Sequence, residues 1–275
     1  MNIILFSKDR PQQLELLLRS MKKFFKEFSS NQIKILYKFS NFKFSEGYDL
    51  LKKMHDDKNI LYFNEIKDFQ SSLIYLFDKT QKYTVFFVDD NIFKEPFSIE
   101  DKEFEYFKNN TDILTLSLRL HPRLNYCYPA NVKMTCPKFL NEYNVFEWRG
   151  LSGDFGYPLS LDGHIYLTSY IYYYILSFRY YGPNSLESQM ASNPVPLSKM
   201  MCYNKSIIMN LPLNKVQDFN NNVHGNISAD YLNDQFLNGK IIDLTSFEGF
   251  ENSSCHQELP VNFIKIPKTT TLGPV

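Results

Sequence analysis

Two adjacent carboxylates, Asp89 and Asp90, close an apolar run and are followed by Asn91 in the stretch YTVFFVDDNIF. A hard cation such as Mg2+ or Mn2+ takes oxygen ligands, commonly one or two protein carboxylates plus phosphate oxygens. The triplet therefore suits holding a divalent cation against a phosphate-bearing ligand, although paired acids also open ordinary solvated turns. The preceding run, Tyr83–Val88, favours the first use. A nearly continuous apolar run reads as a strand covered on both faces, which fixes the acids on a rigid element.

A second polar group follows the first apolar run, in FSKDRPQQ. Ser7, Asp9 and Arg10 stand where a loop opens a helix, and helix N-terminal amides attract anions. Arg10 could meet a phosphate there and Asp9 a ribose hydroxyl or a base. Asp9 with Gln12 three residues on also fits a plain helix cap. His224 lies in Asn220–Ile227, which has no apolar periodicity and reads as a loop; neutral imidazole is a common metal ligand. Glu187 and Asp162 are candidates for acid–base work. Each has a simpler use, Glu187 in the capping pattern Asn184-x-x-Glu187 and Asp162 as a turn residue before Gly163. Trp148, Asp154 and Tyr157 lie in the glycine-rich EWRGLSGDFGYP, with His164 a few residues on. Aromatic faces stack on sugars and acids bond their hydroxyls, so these four are candidate acceptor contacts.

The elements that must position these residues alternate. Strands are predicted at Asn2–Phe6, Ile33–Phe39, Ile60–Phe63, Tyr83–Val88 and Ile113–Leu118. Helices are predicted from Pro11, over Glu46–Met54, over Asp68–Lys79 and over Ile99–Phe107. Such interleaving argues for an α/β fold, a mixed but mainly parallel central sheet with helices on both faces. Ligands of such sheets bind at the carboxyl ends of the strands, which is where both polar groups fall. Later signals are short strands at Phe146–Arg149 and Tyr157–Leu161, a helix over Thr168–Tyr180, a short helix carrying Glu187, and a helix Ala229–Asn238 capped by Ser228. The reading is one domain with two functional halves, 1–118 and 119–252, and an irregular tail, 253–275.

Thirty basic residues balance thirty acidic ones among 275, which gives no support for a nucleic-acid partner. The four cysteines are widely spaced and form no metal-type pair, so they read as reduced thiols in a cytoplasmic protein. The N-terminal apolar run ends at Ser7-Lys8-Asp9-Arg10 and suits a first strand better than a secretion signal. Ile165–Phe178 is too short to span a membrane and is rich in Tyr, Thr and Ser. It reads as a buried amphipathic helix, with peripheral membrane contact as a second use of its aromatic character.

Taken in order, IILFSKDRPQQLELLLRSM, FFVDDNIF, GDFGYPLSLDGHIY and PNSLE resemble the GT-A type glycosyltransferases, particularly the bacterial family-two-like group. The resemblance implies a Rossmann-like nucleotide-binding half with an acidic DxD motif, then an acceptor half. It implies nucleotide contacts from Ser7, Asp9, Arg10, Asp68 and Asp89, and a Mn2+ or Mg2+ ion held by Asp89, Asp90, Asn91 and His224. Glu187 would be the base of an inverting reaction, with Asp162 in reserve. The donor would be a nucleotide sugar, UDP-linked by preference, and the acceptor a glycan or lipid-linked saccharide at the inner face of a membrane. Asn91 stands where the pattern has an acid, and Leu186 where it has the first of two acids. These departures leave room for a catalytically inactive sugar- or partner-binding homologue. A nucleotidyltransferase making nucleotide sugars is a further alternative, but SKDRPQQ lacks the glycines of its phosphate loop.

Overall fold

The computed structural model describes residues 1–65, 67–193, 196–215 and 225–267. In chain order the strands of the first half are β1 (Asn2–Lys8), β2 (Ile33–Lys38), β3 (Ile60–Asn64), β4 (Tyr83–Val88), β5 (Asn91–Phe93) and β6 (Ile113–Ser117). Those of the second half are β7 (Tyr126–Cys127), β8 (Val132–Lys133), β9 (Val145–Glu147), β10 (His164–Leu167), β11 (Lys199–Cys202), β12 (Ile208–Asn210), β13 (Lys240–Ile242) and β14 (Phe263–Lys265). The helices are α1 (Pro11–Phe24), α2 (Phe42–Met54), α3 (Phe69–Leu76), α4 (Lys102–Asn109), α5 (Thr168–Ser177), α6 (Pro183–Ser192) and α7 (Ala229–Leu237).

Eight strands form one sheet in the order β3-β2-β1-β4-β10-β6-β11-β9. β1 to β4 are parallel to one another, and β6 is parallel to β11. β10 is antiparallel between β4 and β6, and β9 is antiparallel at the edge. The fold is thus the mixed, mainly parallel α/β sheet that the sequence predicts. Strand alternation divides its core. Ile3, Leu5, Val85 and Phe87 face α1, α2 and α4, whereas Ile4, Phe6 and Phe86 face α3, α5 and α6. α1 forms where Leu14, Leu17, Leu18 and Met21 recur on one face and Pro11 opens the first turn. Among the described residues no helix is long and apolar enough to cross a membrane.

Several local expectations change. Arg10, not Asp9, is the N-cap residue of α1, and no side chain caps it. Asp9 takes a left-handed backbone, φ 56°, and its carboxylate accepts from Ser40 N instead. No strand forms over 157–161; the strand there is β10, and α5 starts directly after it. At the start of α6 the N-cap residue is Gly182, and the Ser185 hydroxyl, not Glu187, accepts from the backbone N–H groups of Tyr181 and Gly182. That leaves the Glu187 carboxylate free of the capping pattern. From Ser253 onward the chain is not wholly irregular, since β14 pairs with β13 and His256 bridges to Asn210.

The turn into β10 depends on Gly163. Its φ is +61°, and a Cβ there would stand 2.1 Å from Ile208 Cδ1. Its N–H donates to Phe86 O and its carbonyl accepts from Leu118 N, which lock β10 between β4 and β6. Gly163→Ala is expected to lower the unfolding free energy by roughly 2 kcal/mol, read by urea denaturation. An unchanged midpoint would mean that the turn tolerates a side chain.

Candidate functional site

Because β10 runs against β4 and β6, its first residues meet the last residues of both. Asp89 and Asp90 leave β4, Arg119 follows β6, and Asp162 precedes β10, all at one edge of the sheet. α6 sends Glu187 to the same place, where its Oε1 accepts from Leu161 N at 2.7 Å.

Arg119 sits at the centre with 2% of its surface exposed. Ser117 Oγ turns the chain by accepting from Arg119 N and Leu120 N. The guanidinium donates from Nη1 to Asp162 Oδ2 at 3.0 Å and from Nη2 to Ser160 Oγ at 3.1 Å, with Asp154 Oδ1 3.7 Å away. Burial opposes its charge, but Cys255, Asp162, Asp154 and Glu187 around it raise its pKa overall.

The neighbouring carboxylates are short of compensation. Burial raises Asp90 to about 7; Arg10 opposes the rise, while Asp162 and Asp89 add to it. Asn210 Nδ2 donates to Asp90 Oδ1 at 3.0 Å. Burial and Asp162 raise Glu187 to about 7, against the Leu161 N–H and Arg119. Burial also raises Asp162, against Arg119, and its Oδ1 is buried without a well-formed hydrogen bond. His256 Nε2 is 3.8 Å from Asp162 Oδ2, but burial and then Arg119 push this imidazole far below its usual range. It meets Asp162 as a neutral ring.

Asp89 and Asn91 have other duties. Asp89 Oδ1 accepts from Arg10 Nη1 at 2.9 Å and its Oδ2 from Lys8 N at 3.1 Å. Asn91 Oδ1 accepts from Val88 N at 2.9 Å, closing the end of β4. Arg10 also donates to the side-chain and main-chain oxygens of Asn214, at 2.7 and 2.5 Å. Ser7 Oγ and Tyr48 OH are 2.7 Å apart beneath it. Beside this network opens a cleft of about 530 Å³, lined by Asp9, Asn41, Asn214, Lys215, Ser228 and Asp230 among others. Among the described residues, no three His, Cys, Asp or Glu side chains form a ready metal-holding group.

The remaining candidates scatter. Tyr157 faces Glu187, and burial and that carboxylate raise its phenol pKa. Asp154 is reached through Arg119. His164 is fully buried below the cluster, with Nδ1 on Pro158 O at 3.2 Å, and burial lowers its pKa to about 3. It has no surface to offer an acceptor. Trp148 follows Glu147, which pairs with the first residue of β11, so it stands at the opposite edge of the sheet. Its Nε1 donates to Leu197 O at 3.0 Å, and it does not join the cluster. Asp68 is exposed and accepts from Ser71 N as the cap of α3. His224 lies outside the described residues.

The sequence reading passed over Arg119, Asn210, Tyr48 and His256. Arg119 carried a usable signal, a charged residue directly after the buried run ILTLSL. Asn210, Tyr48 and His256 reach the site only through tertiary pairing.

No family model matches the chain. It is 27% identical over 91% of its length to the bifunctional glycosyltransferase pgtA of Dictyostelium discoideum, and it spans 37% of that relative. Among solved structures it is similar to the apo form of WbbM, a bifunctional glycosyltransferase, at 11% identity and a TM-score of 0.33. That match covers 69% of this chain and 36% of WbbM. The chain therefore resembles a glycosyltransferase in sequence, while its fold rests on its own strand order.

The raised pKa of Asp90 has a signed consequence. Its folded-state value of about 7 lies above the ordinary carboxylate range, so the stability it contributes is present at low pH and lost as pH rises towards 7. Asp90→Asn removes that loss. In metal-free buffer the variant is expected to be more stable than the parent by on the order of 2 kcal/mol at pH 8, and about equal near pH 4. A pH-independent difference in paired denaturation curves would refute the desolvated carboxylate.

Proposed function

We propose that this chain is a glycosyltransferase that moves a sugar from a nucleotide-sugar donor to a hydroxyl acceptor. The observation that carries the reading is the convergence of Asp90, Asp162 and Glu187, three carboxylates with raised pKa values, at the ligand-binding edge of the sheet. The nucleoside would lie in the cleft beside Asp9, Asn41 and Asn214. Ser7, Arg10 and Asp89 would form the wall towards the diphosphate, with Arg10 fixed by Asp89 and Asn214. UDP is the preferred nucleotide, and the acceptor is a glycan or a lipid-linked saccharide at the inner face of a membrane.

The donor set suits Mn2+ or Mg2+. Asp90 and Asp162 are hard oxygen donors, the charge of Asp162 raises the pKa of Asp90, and Asp162 Oδ1 is buried without a good partner. A divalent cation held by these two, with further oxygens from the diphosphate, would neutralise charge on the leaving nucleotide. Asp89 and Asn91 would support the site from behind.

Glu187 is the base. A carboxylate near 7 can keep or give up a proton at working pH, which suits proton transfer. It takes the acceptor hydroxyl proton as that oxygen bonds to the anomeric carbon. The bond from that carbon to the diphosphate breaks, and its electron pair leaves with the nucleotide. Attack from the face opposite the leaving group inverts the centre. Leu161 N–H fixes one Glu187 oxygen, and Arg119 orients Asp162 towards the cation, a duty that takes it out of the reserve-base role.

Calorimetry with UDP, GDP and CMP tests the reading. Mn2+ is expected to tighten UDP binding at least tenfold, and Asp90→Ala to remove that gain. Glu187→Gln should bind UDP as the parent does and lose at least a hundredfold in turnover. No metal-dependent binding of any nucleotide would contradict the proposal.

A further inference from the structure

The two faces of the sheet carry very different helices. On one, α1 has four charged residues, α2 five and α4 four. On the other, α3 (FQSSLIYL) and α5 (TSYIYYYILS) have none, and α6 has only Glu187, whose carboxylate turns inward to Leu161 N. In a chain with 22% charged residues, a solvated helical layer without charges needs a reason.

α3 and α5 pack side by side. Phe77 stacks on Tyr172 with ring centroids 5.8 Å apart, and Gln70 Nε2 donates to Phe178 O. Their outward residues are large and uncovered: Tyr75 is 80% exposed, Tyr173 58% and Leu176 51%, and Tyr181, in the connection from α5 to α6, is 86% exposed. Exposed cations stand at both ends of the pair. Lys67 precedes α3 and Arg179 follows α5 at one end, and Lys79 and Lys82 stand at the other. Two acids share these ends, but Asp68 and Asp78 bond their own turns at Ser71 and Thr80.

We propose that this α3–α5 face is a docking surface for an anionic lipid bilayer. Tyrosine rings with an apolar body and a polar tip settle at the headgroup level, and leucine enters the acyl boundary. The four cations outnumber the two acids and complement anionic headgroups. The end bearing Arg179 and Tyr181 leads into α6, which carries Glu187, so docking brings the carboxylate edge near the bilayer surface. This inference does not depend on the transferase reading.

Vesicle flotation of the whole chain tests it, using phosphatidylcholine alone and phosphatidylcholine mixed with phosphatidylglycerol. The protein is expected to float with the mixed vesicles at least about tenfold better than with the neutral ones. The exposed pair Tyr173→Asp with Leu176→Asp should abolish flotation with an unchanged melting temperature, and Lys67→Glu with Arg179→Glu should remove the anionic preference. Absence of flotation, or flotation that survives Tyr173→Asp with Leu176→Asp, overturns the proposal. So does a dimer in ultracentrifugation that this pair dissociates, since a second copy would then cover the face.

Discussion

A carboxylate removed from water must meet a positive charge or take up a proton. The carboxyl edge of this sheet gathers Asp89, Asp90, Asp154, Asp162 and Glu187 around two guanidiniums. Arg10 holds Asp89; Arg119 holds Asp162 and lies near Asp154. Asp90 and Glu187 are left to share what remains, and both rise to about 7. Burial raises Asp89 and Asp162 as well, but each has a guanidinium bonded to it that opposes the rise. Asp90 and Glu187 are bonded instead by neutral donors, Asn210 Nδ2 and Leu161 N–H.

The sheet produces that division through one antiparallel strand. β10 lies between β4 and β6, so the residues before it fall where those strands end. Gly163 permits the turn because a side chain would strike Ile208. The same insertion separates the helices. α5 continues from β10 onto the face of α3 and α6, which carries few charges, while α1, α2 and α4 take the charged face.

Much of the fold was legible, for a local reason. Tyr83–Val88 is apolar on both faces and was placed to the residue, because burial on both sides leaves no alternation to misread. Ile33–Lys38 and α1 followed from period alone. Tyr157–Leu161 was misread as a strand because its apolar residues Leu159 and Leu161 pack into the core beside Phe6, Phe86 and Tyr166 rather than pairing with a neighbouring strand. Asn184-x-x-Glu187 matched a capping pattern, but the Ser185 hydroxyl takes the Gly182 N–H and Glu187 turns inward. Asp9 likewise leaves the cap for Ser40. Asp9 and Glu187 each take a tertiary partner, Ser40 N and Leu161 N, in place of the local cap. Among the candidate residues, those next to strand ends came together, since topology brings such ends to one edge. Trp148 had the right chemistry for a sugar contact, but the reversal of β9 carried it to the other edge, a direction no local pattern encodes.

The central claim is that Asp90 and Asp162 form a cation site against a nucleoside diphosphate. A crystal soaked with UDP and Mn2+ and measured at the manganese absorption edge tests it most directly. The account predicts one anomalous peak between the Asp90 and Asp162 carboxylates, with the diphosphate on it and the uridine in the cleft beside Asp9. UDP bound in that cleft without a peak, or a peak remote from Asp90, would contradict it.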